Sequence, residues 1–365
     1  MLIIGWSGSD AMKILHCADI HLGSKIESKF PKEISSIRKR ELMNTFSRMV
    51  DYAKSEDIKI ILLSGDVFDK DKPSLKEKEY FYKIIKSNPE IDFLYLNGNH
   101  DKEGSFIEKD ISNLKVFSKE TITTYQYDNI SISGIEITPS NSNVFYSRIN
   151  LNEDNINIFM LHGEISSSSG MDKIKLESLK NKNIDYLALG HIHKRDEGKI
   201  DERGIYVYPG NLEPRGFDEC GEKGFVVLDI TDKISHTFIP FSKRTIHEVI
   251  VDVTGVESSF DILMKAKEKV KDIPYQDILR IRLVGELPLN MEVDEREIEV
   301  SLSSYFFVNV KNETTSSLDP SKYDNDKSLI GEFIRGVYEN KTYSDEEKQK
   351  IVAMGLRVIS GKEIE

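Results

Sequence analysis

The sequence predicts an α/β fold, and three observations carry that reading. Short, almost continuously apolar runs recur through the first two thirds of the chain. Each ends in a small cluster of Gly, Asp, Asn or His, and helix-period patterns fill several of the gaps between them. A run that is apolar at every position suits a strand buried on both faces, as in a parallel sheet whose crossovers are helices.

The strands justify themselves in order. Residues 13–18 run into Ala18-Asp19-Ile20-His21, and residues 59–64 run into Gly65-Asp66. Residues 92–96 lead to Asn97-Gly98-Asn99-His100-Asp101, residues 157–161 to His162-Gly163, and residues 185–189 to Gly190-His191-Ile192-His193. Between the first two lies a helix over 33–55, with Leu42, Phe46, Met49, Val50 and Ala53 on one stripe. Ser74 and Glu77 form a capping box ahead of Tyr80, Phe81, Ile84 and Ile85. Residues 122–138 alternate as a hairpin does, and strands recur over 204–241.

After residue 245 the texture changes. Strand patterns at 247–253 and 277–284 flank an amphipathic helix at 259–270, and 297–310 reads as a return to β. Residues 312–327, rich in Ser, Thr, Asn and Asp, read as a linker. Helices at 328–340 and 344–359 close the chain, the second behind the capping box Ser344…Glu347. The organisation expected is therefore an upstream or non-native extension over 1–11, a first domain over 12–245, an α+β module over 246–311, the linker, and a helical tail over 328–365.

Composition narrows the function classes. A chain of 365 residues has material for two or three domains. The net charge, 50 − 62 = −12, excludes a uniformly basic nucleic-acid coat. It does not exclude anionic substrates, because bound cations and local basic patches reverse the sign at a site. Two cysteines far apart in sequence, Cys17 and Cys220, argue against a disulfide framework and for a cytoplasmic chain. Cys17, within a strand, reads as a small buried hydrophobe. No apolar run approaches the ~20 residues a spanning helix needs.

The chemistry lies in the clusters. In an α/β sheet the carboxyl ends of the strands converge on one crevice, so side chains distant in sequence can meet there. Carboxylates, an amide oxygen and imidazoles suit Mn²⁺, Fe²⁺ or Zn²⁺, and the donors are too many for a single ion. Five of the eight histidines (21, 100, 162, 191 and 193) fall in these clusters. His16, His236 and His247 read as ordinary structural histidines.

Taken in order, these motifs resemble the calcineurin-like metallophosphoesterase superfamily over about residues 12–245. The flanks Leu15-His16-Cys17-Ala18-Asp19-Ile20-His21-Leu22-Gly23 and Gly65-Asp66-Val67-Phe68-Asp69 are similar to those of SbcD-type DNA repair nucleases. So are Tyr208-Pro209-Gly210-Asn211, Arg215-Gly216-Phe217 and Gly221-Glu222-Lys223-Gly224-Phe225. The resemblance implies a four-layer α/β/β/α sandwich followed by a small α+β cap and C-terminal helices. It implies two divalent metal ions, manganese in the first place. One would be held by Asp19, His21, Asp66 and His193, the other by Asp66, Asn99, His162 and His191, with Asp66 shared. His100 would face the scissile phosphate or leaving oxygen, and Asp101 would orient it. Some archaeal members carry His where this chain has Asp69, which is expected just behind the metal ligands. Candidate phosphate contacts are Lys70, Lys72, Lys102, Lys194, Arg195 and Arg215.

The function implied is cleavage of DNA phosphodiesters in end processing and repair. Its substrates would be ends, single strands or hairpins, and its partners an SbcC-type ATPase and a second copy of the chain, away from membranes. The alternative is a phosphoesterase of the same fold acting on a small phosphate ester or nucleotide.

Overall fold

The computed structural model describes residues 12–26, 30–69, 73–99, 111–168, 170, 172–288, 291, 293–317 and 320–359. The expected extension over 1–11, together with Lys70, Lys72, His100, Asp101 and Lys102, lies outside the described residues. The chain divides into two compact units, Met1–Ile246 and His247–Glu365.

The first unit is built on strands that appear where apolar runs were expected. They are β1 (Met12–Cys17), β2 (Ile60–Ser64), β3 (Asp92–Leu96), β4 (Leu114–Val116), β5 (Thr123–Tyr127), β6 (Ile130–Gly134) and β7 (Ile156–His162). The short pair β8 (Glu164–Ile165) and β9 (Lys173–Ile174) precedes β10 (Tyr186–Gly190) and β11 (Asp196–Lys199). Then come β12 (Ile205–Tyr208), β13 (Gly224–Ile230) and β14 (Ile234–Pro240).

Two six-stranded sheets result, ordered β14-β13-β1-β2-β3-β4 and β11-β12-β10-β7-β6-β5. In the first, β1 to β4 run parallel and β13 and β14 are antiparallel additions. In the second, β6, β7, β10 and β12 are parallel, with β5 and β11 antiparallel at the edges. The inner faces meet in a core that includes Ile14, Leu62, Leu94, Ile132, Ile158, Met160, Ala188 and Val226. Because both faces of the central strands are covered, alternation disappears from the sequence and a continuous apolar run remains.

Helices α1 (Lys32–Ser55) and α2 (Leu75–Lys86) cover the outer face of the first sheet, where Phe46, Met49, Phe81 and Ile85 pack on Leu15, Cys17, Leu63 and Tyr95. Truncating Phe46 to Ala there would cost about 3–5 kcal/mol. Ser74 caps α2 as expected: its hydroxyl accepts from Glu77 N–H at 3.3 Å, and Glu77 accepts from Ser74 N–H at 2.7 Å. The second sheet's outer face is closed differently. Phe145, Tyr146 and Leu179, from two 3-10 turns (Phe145–Arg148 and Leu176–Leu179), pack on Phe159, Leu161, Leu187 and Leu189.

The second unit has β15 (Ile246–Asp252), β16 (Ile278–Val284) and β18 (Phe307–Asn312) in one sheet, with α3 (Ser259–Val270) contributing to its core. The β reading of 297–310 fails at its start, where α4 (Glu295–Ser301) forms instead. Asp294 caps it by accepting from Glu297 N–H at 3.0 Å, and Ile298 and Leu302, one turn apart, turn into the core. The segment read as a linker holds β19 (Thr315–Ser317), paired with β17 (Glu286–Pro288), and a 3-10 turn at Pro320–Tyr323. Helices α5 (Leu329–Glu339) and α6 (Asp345–Ile359) share a small core of Ile334, Val337 and Val352. Among the described residues, no helix is long and apolar enough to cross a membrane.

Candidate metal centre

Each cluster leaves the carboxyl end of a parallel strand: β1, β2, β3, β7 and β10. Beyond the strands the first two loops stay zipped together. Asp19 N–H donates to Gly65 O at 3.1 Å, His21 N–H to Asp66 O at 2.9 Å and Leu22 N–H to Val67 O at 2.8 Å. The two sheets are tied at the same level, because His191 N–H donates to both Asp19 carboxylate oxygens, at 2.9 and 3.0 Å. Asp19, His21, Asp66 and His191 all have positive φ, between 51° and 100°. Non-glycine residues there cost about 1–3 kcal/mol each, and such strain gathers at functional sites.

Close approach explains the neighbouring glycines. A Cβ on Gly98 would stand 2.1 Å from Asp66 Oδ1, and one on Gly190 would stand 1.9 Å from Ser64 O. No larger residue fits at either point without moving the site.

Two donor groups result: Asp19 with His21 and His193, and Asp66 with His162 and His191. Asn99 joins the second, its Oδ1 lying 2.9 Å from His162 Nε2 and 3.2 Å from His191 Nδ1. Asp66 Oδ2 stands 3.4 Å from His162 Nε2 and 3.9 Å from His21 Nε2, between the groups. All seven expected ligand residues therefore meet in one crevice, and Asp19, His21, Asp66 and His162 are buried.

The donor set asks for cations. His21 Nε2 and His193 Nε2 face each other at 3.1 Å, while each Nδ1 faces a carboxylate: Asp69 Oδ1 at 3.0 Å and Glu219 Oε1 at 2.9 Å. Asp69 approaches as a charge, off the line of an ideal N–H bond. Two imidazole nitrogens converging on one point at 3.1 Å leave a place that a divalent ion would fill. In the second group His162 Nδ1 donates to Ser64 O at 2.9 Å, leaving Nε2 among the acceptors Asn99 and Asp66.

The electrostatics of the metal-free chain agree. Burial pulls His162 down, but Asp66 and Asp19 outweigh it and raise its pKa to about 9, so the second group attracts positive charge. Burial lifts the Asp19 carboxyl to about 6 against the pull of His162. His21, driven down chiefly by burial, falls to about 4 and stays neutral and able to ligate.

Of the other expected residues, Asp69 and Arg215 lie against the first group, their ion pair at 3.0 Å. Lys194 is exposed, and Arg195 pairs with Glu197 at 3.0 Å and stacks on Phe238 at 5.0 Å. Glu219 was missed by sequence reasoning. Its one signal is the spacing Arg215…Glu219, which sets an acid four residues after the base of the Arg-Gly-Phe motif. His16 proves a fully buried bridge: its Nε2 donates to Leu189 O at 3.2 Å and its Nδ1 accepts from Tyr186 Oη–H at 2.9 Å, tying β1 to β10. The described contacts of His236, to Glu197, and of His247, to Asp277, are structural.

Comparison with known proteins bears on this geometry. The calcineurin-like phosphoesterase family model matches residues 12–195, which contain all seven candidate ligand residues. A protein named DNA double-strand break repair protein Mre11, from Sulfolobus acidocaldarius, is 25% identical over 93% of this chain and 94% of its own length. An uncharacterized metallophosphoesterase, YhaO of Bacillus subtilis, is 29% identical over 68% of this chain and 64% of its own. The SbcD component of the SbcCD nuclease from Staphylococcus saprophyticus is 25% identical over 71% of this chain and 75% of its own. The chain belongs to the calcineurin-like phosphoesterase family and is a metal-dependent phosphodiesterase.

Proposed function

We propose that this enzyme is a DNA nuclease of the SbcD type, cleaving phosphodiester bonds at DNA ends, single strands or hairpins with two manganese ions. The observation that carries the reading is the pair of buried donor groups meeting at Asp66, in a chain that aligns over 93% of its length with a relative named for DNA double-strand break repair.

Asp19, His21 and His193 would hold one ion and Asn99, His162 and His191 the other, with Asp66 standing between the two groups. When bound, the ions supply Lewis-acid charge to the phosphoryl oxygens and acidify the attacking water. The chain's contribution is to keep its donors rigid and dry: Asp19 is fixed by the His191 peptide N–H, and His162 by the Ser64 carbonyl. Fixed charges in a site that needs no reorganisation are worth most as charge develops in the transition state. His100 donates a proton to the leaving oxygen and Asp101 orients it, as general acid catalysis requires. Exposed Lys194, with Lys70 and Lys102, contacts backbone phosphates without reading sequence.

In this reading residues 12–245 are the nuclease domain, 246–311 a cap, 312–327 a linker and 328–365 the docking segment for an SbcC-type ATPase. Exposed Leu329, Met354 and Val358 support docking, since apolar side chains on paired helices gain by being covered. The enzyme acts as a homodimer in the cytoplasm.

A manganese-dependent nuclease assay tests the proposal. Linear duplex, hairpin and single-stranded DNA are compared, with and without co-purified partner, beside cyclic nucleotides and p-nitrophenyl phosphate esters. DNA cleavage abolished by His100→Ala supports it. Turnover of only the small esters would replace DNA by a small phosphate ester as the substrate.

A further inference from the structure

We infer that Arg215 is a positioning residue for one ion of the pair, acting on the two histidines of the first donor group through Asp69 and Glu219 and, at His193, also by direct contact of its Nη2 with Nδ1 at 2.9 Å. The inference rests on the two-metal reading above, and it concerns what holds the ligands.

The guanidinium spans two carboxylates. Its Nη1 donates to Asp69 Oδ1 at 3.0 Å, and its Nε and Nη2 donate to Glu219 Oε1 at 3.1 and 2.8 Å. Those same oxygens face the imidazoles: Asp69 Oδ1 is 3.0 Å from His21 Nδ1, and Glu219 Oε1 is 2.9 Å from His193 Nδ1. One planar fork thus fixes both carboxylates that stand against the Nδ1 edges of the two rings. Glu219 Oε2 is held separately, by Arg215 N–H at 2.7 Å and Asn211 Nδ2 at 2.6 Å.

The loop carrying the fork is anchored. Glu213 accepts from buried Arg38 at 2.8 Å, from Thr45 Oγ1 at 2.7 Å and from Lys243 N–H at 2.5 Å. Lys223 Nζ donates to His193 O at 2.7 Å, fixing that ligand's backbone as well. The second donor group has no counterpart among these contacts, since His162 is oriented by a peptide carbonyl of β2.

Charge and geometry make opposite demands on Arg215, which is what makes the inference testable. As a positive charge beside the site it opposes cation binding, so removing it for charge alone would tighten the first ion. As a fork it aligns two ligands, so removing it loosens that ion. Partners behind metal ligands typically contribute about 10–100-fold in affinity. Lysine cannot span two carboxylates with one fixed fork, so it should not restore the fit.

The test is manganese titration of the full chain by calorimetry, followed by electron paramagnetic resonance of free and bound Mn²⁺. Wild type must first take up two ions; if it takes up none, the two-metal reading fails and not this inference alone. Arg215→Gln and Arg215→Lys are expected to lower the affinity of one ion by about 10–100-fold and to leave the other within about threefold. Glu219→Gln is expected to weaken the same ion, and the double variant Arg215→Gln with Glu219→Gln to lose less than the sum, because the two act as one unit. Unchanged or tighter binding in Arg215→Gln, or equal weakening of both ions in folded protein, would overturn the inference. Should Arg215→Gln not fold, Asp69→Asn and Glu219→Gln decide it by the same selective loss or its absence.

Discussion

The two donor groups sit a few ångströms apart and are held in different ways. The second is organised by main chain: Ser64 O orients His162, Gly65 and Gly98 leave room for its neighbours, and the sheet itself sets the spacing. In the first, Asp19 is held by the His191 peptide N–H, but the two histidines are set by side chains, Asp69 and Glu219 under Arg215, drawn from loops more than a hundred residues apart. Main-chain orientation comes with the fold and is changed only by deforming it. Side-chain orientation can be altered by one substitution, so the first ion is the one whose affinity the sequence can tune.

The largest effect should come from removing what the groups share. Asp66→Asn is expected to abolish uptake of both manganese ions in calorimetry and to lower phosphodiester cleavage by ~10³-fold or more. Uptake of one full equivalent by this variant would mean that Asp66 serves a single group.

Next in size is Gly190→Ala, whose Cβ would collide with Ser64 O at 1.9 Å and His162 Nδ1 at 2.8 Å. Overpacking of this kind costs about 1–3 kcal/mol, read as a lower Tm. The second ion should be lost while the first is retained, the mirror image of Arg215→Gln. Loss of the first ion alone would erase the contrast.

Acidity sharpens the comparison further. His162 has its pKa raised to about 9 in the metal-free chain, above the usual histidine value. Its contribution to stability is full below about pH 6.5 and is lost as the pH rises through 9, at up to about 1.4 kcal/mol per unit. An ion entering the second group must displace that proton, so its affinity should climb about tenfold per pH unit up to about 9. Calorimetry in buffers of different ionisation heat would measure the released proton; no release at pH 7.5 would contradict the assignment.

The smallest effect concerns His16, whose burial lowers its pKa to about 3. Stability is full above pH 6.5 and falls toward pH 3 as the unfolded chain takes the proton more readily. His16→Gln should therefore flatten the acid limb of the denaturation profile by up to about 1.4 kcal/mol per pH unit, leaving the slope from His21. An unchanged limb would show that His16 is not buried neutral.

The clustering of the candidate ligands is legible because each stands just after an apolar strand, where residue type and strand end together announce a crevice. The apparatus behind them was less so. Asp69 and Arg215 were recognised by motif but not as partners, and Glu219 went unread, because the contact joining them depends on how the loop at 211–219 folds back on the loop after β2. Local spacing carries no trace of that. In the second unit, Ile298, Val300 and Leu302, in and just after α4, alternate as a strand would, and only the cap Asp294 to Glu297 decides between the two periods. The outer face of the second sheet likewise could not be read as helix, since turns too short for a 3.6-residue stripe cover it.

Anomalous scattering from crystals grown with manganese tests the central claim most directly. Two peaks are expected in the crevice, one among Asp19, His21 and His193 and the other among Asn99, His162 and His191, with the Asp66 carboxylate reaching both. A single peak, or manganese bound away from these side chains, would contradict the account.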